Sequence, residues 1–225
     1  IDHNRLISSM DSKGGDIAIK EGGISSLEGM LVARGLMYSS VYFHRVTRVT
    51  EVMLSSAVER SLDSLPDSLD MQRYVDSEVW GALNSANDYS RDIVKRFKYR
   101  QLMKVCMSLR RQELLDYQVT RLIEMSQNSS IRRSFEDEIA SRAGLLPGYV
   151  LIDMPSVKLL LSEPRMAQVD IKIIGDDGKI RWLREHTPIA EALRSRQVSQ
   201  SAVYVMTVPS HTEIVSKLIR TYLLD

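Results

Sequence analysis

The sequence predicts a mainly helical fold through residue 145, followed by a small α+β domain. Three observations carry that division. Between residues 24 and 142 the apolar side chains recur at helical spacing, i, i+3, i+4 and i+7. From residue 149 onward the pattern changes to alternation and short apolar runs, which mark strands. Between them stands Leu146-Pro147-Gly148, a chain-breaking triplet, so residues 1–145 and 146–225 are read as two domains.

Residues 2–10 read as a short helix with Asp2 as its cap, and Asp11 to Gly15 as a turn. Asp16 to Lys20 alternates as a strand does and is closed by Gly22-Gly23. Ser25 or Ser26 then caps a helix with Glu28 in its first turn, where the helix dipole favours an anion. The chain bends near Tyr42 and resumes as a long helix to about Ser61, with Val46, Val49, Met53, Ala57 and Val58 inward. Short helices follow a polar loop at about 68–75, 77–86 and 88–97, and Leu102 to Met107 forms a buried strand or helix. Gln112 to Gln127 places Leu114, Leu115, Val119, Leu122 and Ile123 inward. Ser130 to Arg142 begins at a serine cap and ends at Ala143-Gly144. Its acidic run Glu136-Asp137-Glu138 reads as a solvated face.

In the second domain, Tyr149 to Asp153 and Gln168 to Ile174 are strands. Gly175-Asp176-Asp177-Gly178 is a hairpin turn before Lys179 to Leu183. Thr187-Pro188 opens a helix to about Arg196, with Pro in its first turn. Ala202 to Thr207 is a further strand. Ser210 caps a final helix with Ile214, Val215, Leu218, Ile219 and Tyr222 inward. The expectation is antiparallel strands with two helices on one face.

Composition narrows the function. An apolar fraction of 44% and a charged fraction of 26% are those of a globular protein. The formal charge of +1 supplies no global field for nucleic acid or an acidic membrane. The lone Cys106 excludes an intramolecular disulfide and a multi-cysteine zinc site, and a cytoplasmic setting is expected. No run of eighteen apolar residues is present, so no membrane partner is expected. The chain opens on Ile rather than Met, which leads to the expectation that it is part of a longer protein. From Arg91 to Arg111 eight basic residues stand against one acid, Asp92, with Phe97 and Tyr99 among them. That run is either a solvated cationic face or a site for a nucleotide or acidic partner.

The helix after Ser26 aligns Leu27, Met30, Leu31, Arg34, Tyr38, Val41 and Tyr42 on one side. An arginine on an apolar stripe needs an anionic partner, either a neighbouring carboxylate or a ligand phosphate beside an aromatic wall. Periodicity leaves both open. The motif Ala33-Arg34-x-x-Met37-Tyr38-x-x-Val41-Tyr42-x-His44 resembles the helix pair downstream of the metal site in HD-domain phosphohydrolases, and within them the deoxynucleoside triphosphate triphosphohydrolases. Ile1-Asp2-x-x-Arg5-Leu6-Ile7, Asp70-Met71-x-x-Tyr74 and Lys98-Tyr99-Arg100-x-Leu102-x-Lys104 continue the resemblance in order, over roughly residues 1–108.

The resemblance implies a nucleotide substrate, with Arg34 on a phosphate and Tyr42 against the deoxyribose. Tyr38 stands where these enzymes carry His; it donates a hydrogen bond but is no cationic acid at neutral pH. His44, Lys98, Arg100 and Lys104 match a second nucleotide site or a subunit interface. A homo-oligomer is implied as well. The family holds its divalent metal with a His, a His-Asp pair and a later Asp. Here His3, His44, His186 and His211 are scattered and none precedes Asp, so no catalytic or metal-ligating residue is assigned. The metal is expected in the full-length protein, and this chain alone is expected to be inactive. The rival readings are a non-catalytic nucleotide sensor and a nucleic-acid-binding module.

Overall fold

In the computed structural model, which describes residues 2–37, 40–41, 44–110, 113–154, 171–189, 192 and 202–224, helix α1 spans His3–Ser9. The Asp2 carboxylate caps it by accepting the Arg5 N–H at 3.0 Å, as its place before the helix predicts. Strands β1 (Met10–Lys13) and β2 (Asp16–Lys20) follow. The turn is therefore only Gly14-Gly15, both at positive φ, which glycine adopts without strain. Met10 to Lys13 is strand and not the wider turn expected. Helix α2 (Ile24–Met37) begins from a 3-10 turn at Glu21–Gly23, so neither serine caps it and Glu28 lies past its first turn.

Helix α3 spans Arg45–Glu59 and buries Val49, Met53 and Ala57; Val46, in its first turn, is exposed. Helices α4 (Ser68–Met71), α5 (Asp76–Ala86) and α6 (Asp88–Lys98) lead to strand β3 (Lys104–Arg110). Helix α7 (Asp116–Gln127) buries Val119, Leu122 and Met125; Leu115 caps its start from outside and is exposed. Helix α8 (Ser129–Arg142) is capped by the Asn128 side chain, not by a serine. It ends at Ala143 and Gly144, the glycine at φ +75°.

Strands β4 (Val150–Asp153), β5 (Lys172–Ile174) and β6 (Ile180–Trp182) come next, then the short helix α9 (Leu183–His186). Residues 168–170, and all of 190–201 except residue 192, lie outside the described residues, so most of the helix expected after Pro188 does too. Strand β7 (Ala202–Thr207) precedes helix α10 (Thr212–Ile219), which winds on as a π-helical turn to Leu224. Ser210 sits in the 3-10 turn before α10 rather than capping it. Leu223 is buried, whereas Ile214 is exposed.

The chain is mainly helical with an α+β C-terminal part. Its strands, however, do not form a sheet of their own. The chain divides into two compact units, Ile1–His44 with Ser156–Ser201 and Arg45–Pro155 with Ala202–Asp225. The Leu146-Pro147-Gly148 stretch therefore lies inside the second unit, not between domains.

In the first unit the sheet order is β1-β2-β5-β6, with β2 and β5 parallel and the other pairs antiparallel. Leu6 of α1, Leu27 and Leu31 of α2, and Ile19, Ile173 and Leu183 form its core. In the second unit β7 runs between β3 and β4, antiparallel to both. Its core joins Val49, Met53 and Ala57 to Leu83, Ile93, Met103, Leu151 and Met206. Burying a side chain such as Met53 completely contributes about 2 kcal/mol. That packing fixes α3 against the sheet and sets the rotation of its polar face.

Candidate functional site

The face of α3 that flanks its buried stripe carries Arg48, Glu51, Val52, Ser55, Ser56 and Glu59, spaced so that all six share one side of the helix. With Arg132 and Glu136, one turn apart on α8, and Leu151 to Met154 at the end of β4, they line a pocket of about 340 Å³ in the second unit. Arg48 joins α3 to β4. Its Nε donates to Asp153 Oδ2 at 2.8 Å and its second Nη to Oδ1 at 2.5 Å, a bidentate pair with a buried carboxylate. The Asp153 hydrogen bonds raise the arginine's already high pKa further. Arg48 also meets Glu51 at 2.5 Å.

Arg132 donates to both carboxylate oxygens of Glu59, at 3.2 and 3.3 Å. Its Nε is buried without a hydrogen bond, 3.7 Å from Glu136. Glu136 is 3% exposed and accepts the Ile152 N–H at 2.7 Å. Burial pushes its carboxyl up to about 7, against the pull of the Ile152 N–H, Arg132 and Arg60. Behind the pocket, the Tyr89 hydroxyl contacts Ser56 Oγ and donates to the Gly148 carbonyl, both at 3.0 Å. Burial raises that phenol to about 12.

The expectation of a solvated Glu136 is thus corrected. The residue shares the inward side of α8 with Ile139 and Ala143, and its spacing from Ile139 carried that signal. The pocket escaped sequence reasoning because Arg48-x-x-Glu51-x-x-x-Ser55-x-x-x-Glu59 looks like any polar helix face until α8 and β4 cover it.

The residues singled out from sequence are placed as follows. Arg34 lies in the last turn of α2, exposed, where the helix C-terminus favours a cation. Tyr38 and Tyr42 lie outside the described residues. His44 is exposed just before α3, its N–H donating to the Val41 carbonyl at 3.3 Å. Lys98, Arg100 and Lys104 are exposed along the turn from α6 into β3. Arg100 takes φ +54° there, and Lys98 Nζ sits 5.5 Å from the Tyr99 ring centroid. Arg34 and His44 belong to the first unit, the other three to the second.

Among the described residues, no group of three or more His, Cys, Asp or Glu is placed to hold a metal ion. These side chains do not fit the metal that the resemblance implies. No described helix is long and apolar enough to cross a membrane.

Comparison with known proteins follows the same line as the sequence motifs. A family described as the HD associated region matches residues 1–224. An uncharacterized protein of Methanocaldococcus jannaschii is 25% identical over 198 residues, covering 86% of this chain and 40% of its own length. The uncharacterized protein YwfO of Bacillus subtilis is 23% identical over 232 residues, covering 90% of this chain and 50% of its own. The chain thus spans about half the length, or less, of the curated relatives it matches. Among solved structures, a hypothetical protein from Aquifex aeolicus superposes with a TM-score of 0.61 at 19% identity, over 96% of this chain and 50% of that one. A phosphohydrolase from Bacteroides thetaiotaomicron gives 0.59 at 22% identity, over 91% and 55%. At these identities the likeness is one of fold.

Proposed function

The chain belongs to the HD associated region family, and from that premise we propose that it serves a metal-dependent nucleotide phosphohydrolase whose substrate is a deoxynucleoside triphosphate. One observation carries the reading: the family match runs through residues 1–224 and so includes every motif that resembles the triphosphohydrolases. The shared fold with a phosphohydrolase supports it.

In this reading the chain supplies substrate contacts and an accessory domain, and the divalent metal is held elsewhere in the protein. Arg34 closes on a substrate phosphate, with a fixed charge and a planar fork matched to its oxygens. Tyr42 packs on the sugar and Tyr38 donates a hydrogen bond. His44, Lys98, Arg100 and Lys104 serve a second nucleotide site or an interface of a homo-oligomer.

Arg34 provides the test. In the native protein that carries this chain, Arg34→Ala should lower kcat/KM for a deoxynucleoside triphosphate by about a hundredfold or more, the loss of a bidentate charge-assisted contact. Arg34→Lys should recover part of it, because it keeps the charge and loses the fork. An unchanged kcat/KM in Arg34→Ala, with the wild-type protein active, removes Arg34 from the site. Nucleotide binding without turnover favours the sensor instead.

A further inference from the structure

Lys98, Arg100 and Lys104 belong to a longer exposed strip at the turn from α6 into β3, within the second unit. We propose that this strip binds single-stranded nucleic acid, with its cations on successive phosphates and Tyr99 stacked on a base. This names the ligand of the second site in the reading above, and it is independent of Arg34 and of hydrolysis.

The strip is a local concentration of unpaired charge. Residues 95–104 hold five cations and no acid, although the whole chain carries a formal charge of only +1. Arg96 is engaged by Asp92 at 2.6 Å and lies over the Tyr149 ring. Lys95, Lys98, Arg100 and Lys104 are exposed, and none is paired with a carboxylate among the described residues. Helix spacing puts Lys95, Lys98 and Tyr99 on one side of the last turn of α6. Tyr99 is 62% exposed, its ring centroid 5.5 Å from Lys98 Nζ. A helix C-terminus favours cations, which accounts for Lys95 and Lys98. It accounts neither for the bare tyrosine ring among them nor for Arg100.

Arg100 points to a ligand independently. Its N–H donates to the Phe97 carbonyl at 3.2 Å and the Gln101 N–H to the Arg96 carbonyl at 2.9 Å. That pair of bonds ends a helix through a left-handed residue. Glycine fills such a place without strain, as Gly144 does after α8. Here Arg100 holds it at φ +54°, alone among the described non-glycine residues in taking a positive φ. The backbone is strained to present a guanidinium that no acid meets. A phosphate supplies the missing partner.

The exposure selects a strand over a free nucleotide. A small ligand is held by enclosure in a cleft. These cations instead lie open along a surface that runs from the end of α6 into β3. A strand collects several phosphate contacts along such a surface and needs only one ring face for a base.

The test is fluorescence anisotropy of labelled oligothymidylate and oligouridylate, each about twenty nucleotides, with the native protein that carries this chain. We expect saturable binding of at least one strand. Its affinity should fall with salt at a log–log slope of about −3, roughly four phosphates at about −0.7 each. Arg100→Gly should weaken binding about fourfold at about 0.15 M salt. It should nevertheless raise the urea midpoint, because glycine relieves the positive φ. Tyr99→Ala should weaken binding at least about fivefold with the salt slope unchanged, the loss of one stack. Absence of saturable binding, full displacement by an equal concentration of thymidine triphosphate, or an affinity unchanged in both variants would each overturn the proposal. So would a change of sedimenting mass in Arg100→Gly, which would make the strip a subunit interface. None of these outcomes bears on hydrolysis or on the Arg34 test, so the two readings fail separately.

Discussion

Replacing Glu136 by Gln should stabilise the protein at alkaline pH. The carboxyl is 3% exposed and burial holds it at about 7, against an ordinary 4.5. Because the folded state raises this pKa, its contribution to stability is fully present below about 4.5 and is lost as pH rises through 7. The difference between those two values corresponds to about 3 kcal/mol across that window. Glutamine is isosteric, and its carbonyl can still accept the Ile152 N–H. The remaining titrations are common to both proteins and cancel in the difference. Urea unfolding of both at pH 5, 6, 7 and 8 gives the result directly. The wild-type curve should fall relative to the variant by roughly 1 kcal/mol per pH unit toward pH 7, then level off. Parallel curves would refute the buried-carboxyl reasoning.

Two further predictions rest on single positions. Gly148→Ala should cost about 2–4 kcal/mol in urea unfolding, since φ +89° strains any side chain and an added Cβ would meet the Tyr89 ring at 2.5 Å. A loss under about 0.5 kcal/mol would mean that Tyr89 moves freely. Burial pushes the Cys106 thiol up to about 11, so its alkylation at pH 8 should be far slower in the folded protein than in urea. Equal rates would contradict that burial.

Local chemistry was legible in the sequence. The Asp2 cap, the apolar stripe of α3, the stop at Gly144 and the hairpin at Gly175 to Gly178 each follow from residues a few positions apart. Pairings between distant strands were not. β2 pairs with β5 and β3 with β7 across long stretches of the chain, and short strands of similar composition leave such partners undetermined. That is why the sequence alone groups the strands after residue 146 into one domain although they complete two sheets. The candidate sites divide in the same way. An ordered motif singles out Arg34 and its neighbours as candidates. The α3 pocket depends on which helix faces which, and Glu136 reveals its role only once β4 lies against it.

The most direct measurement is phosphate release from a deoxynucleoside triphosphate by the native protein that carries this chain, with a divalent metal and again after chelation. Membership in the HD associated region family, joined to the motif around Arg34, leads us to expect turnover that chelation abolishes and added metal restores. Failure to turn over any nucleoside triphosphate in the presence of magnesium, manganese, cobalt or zinc would contradict the phosphohydrolase reading.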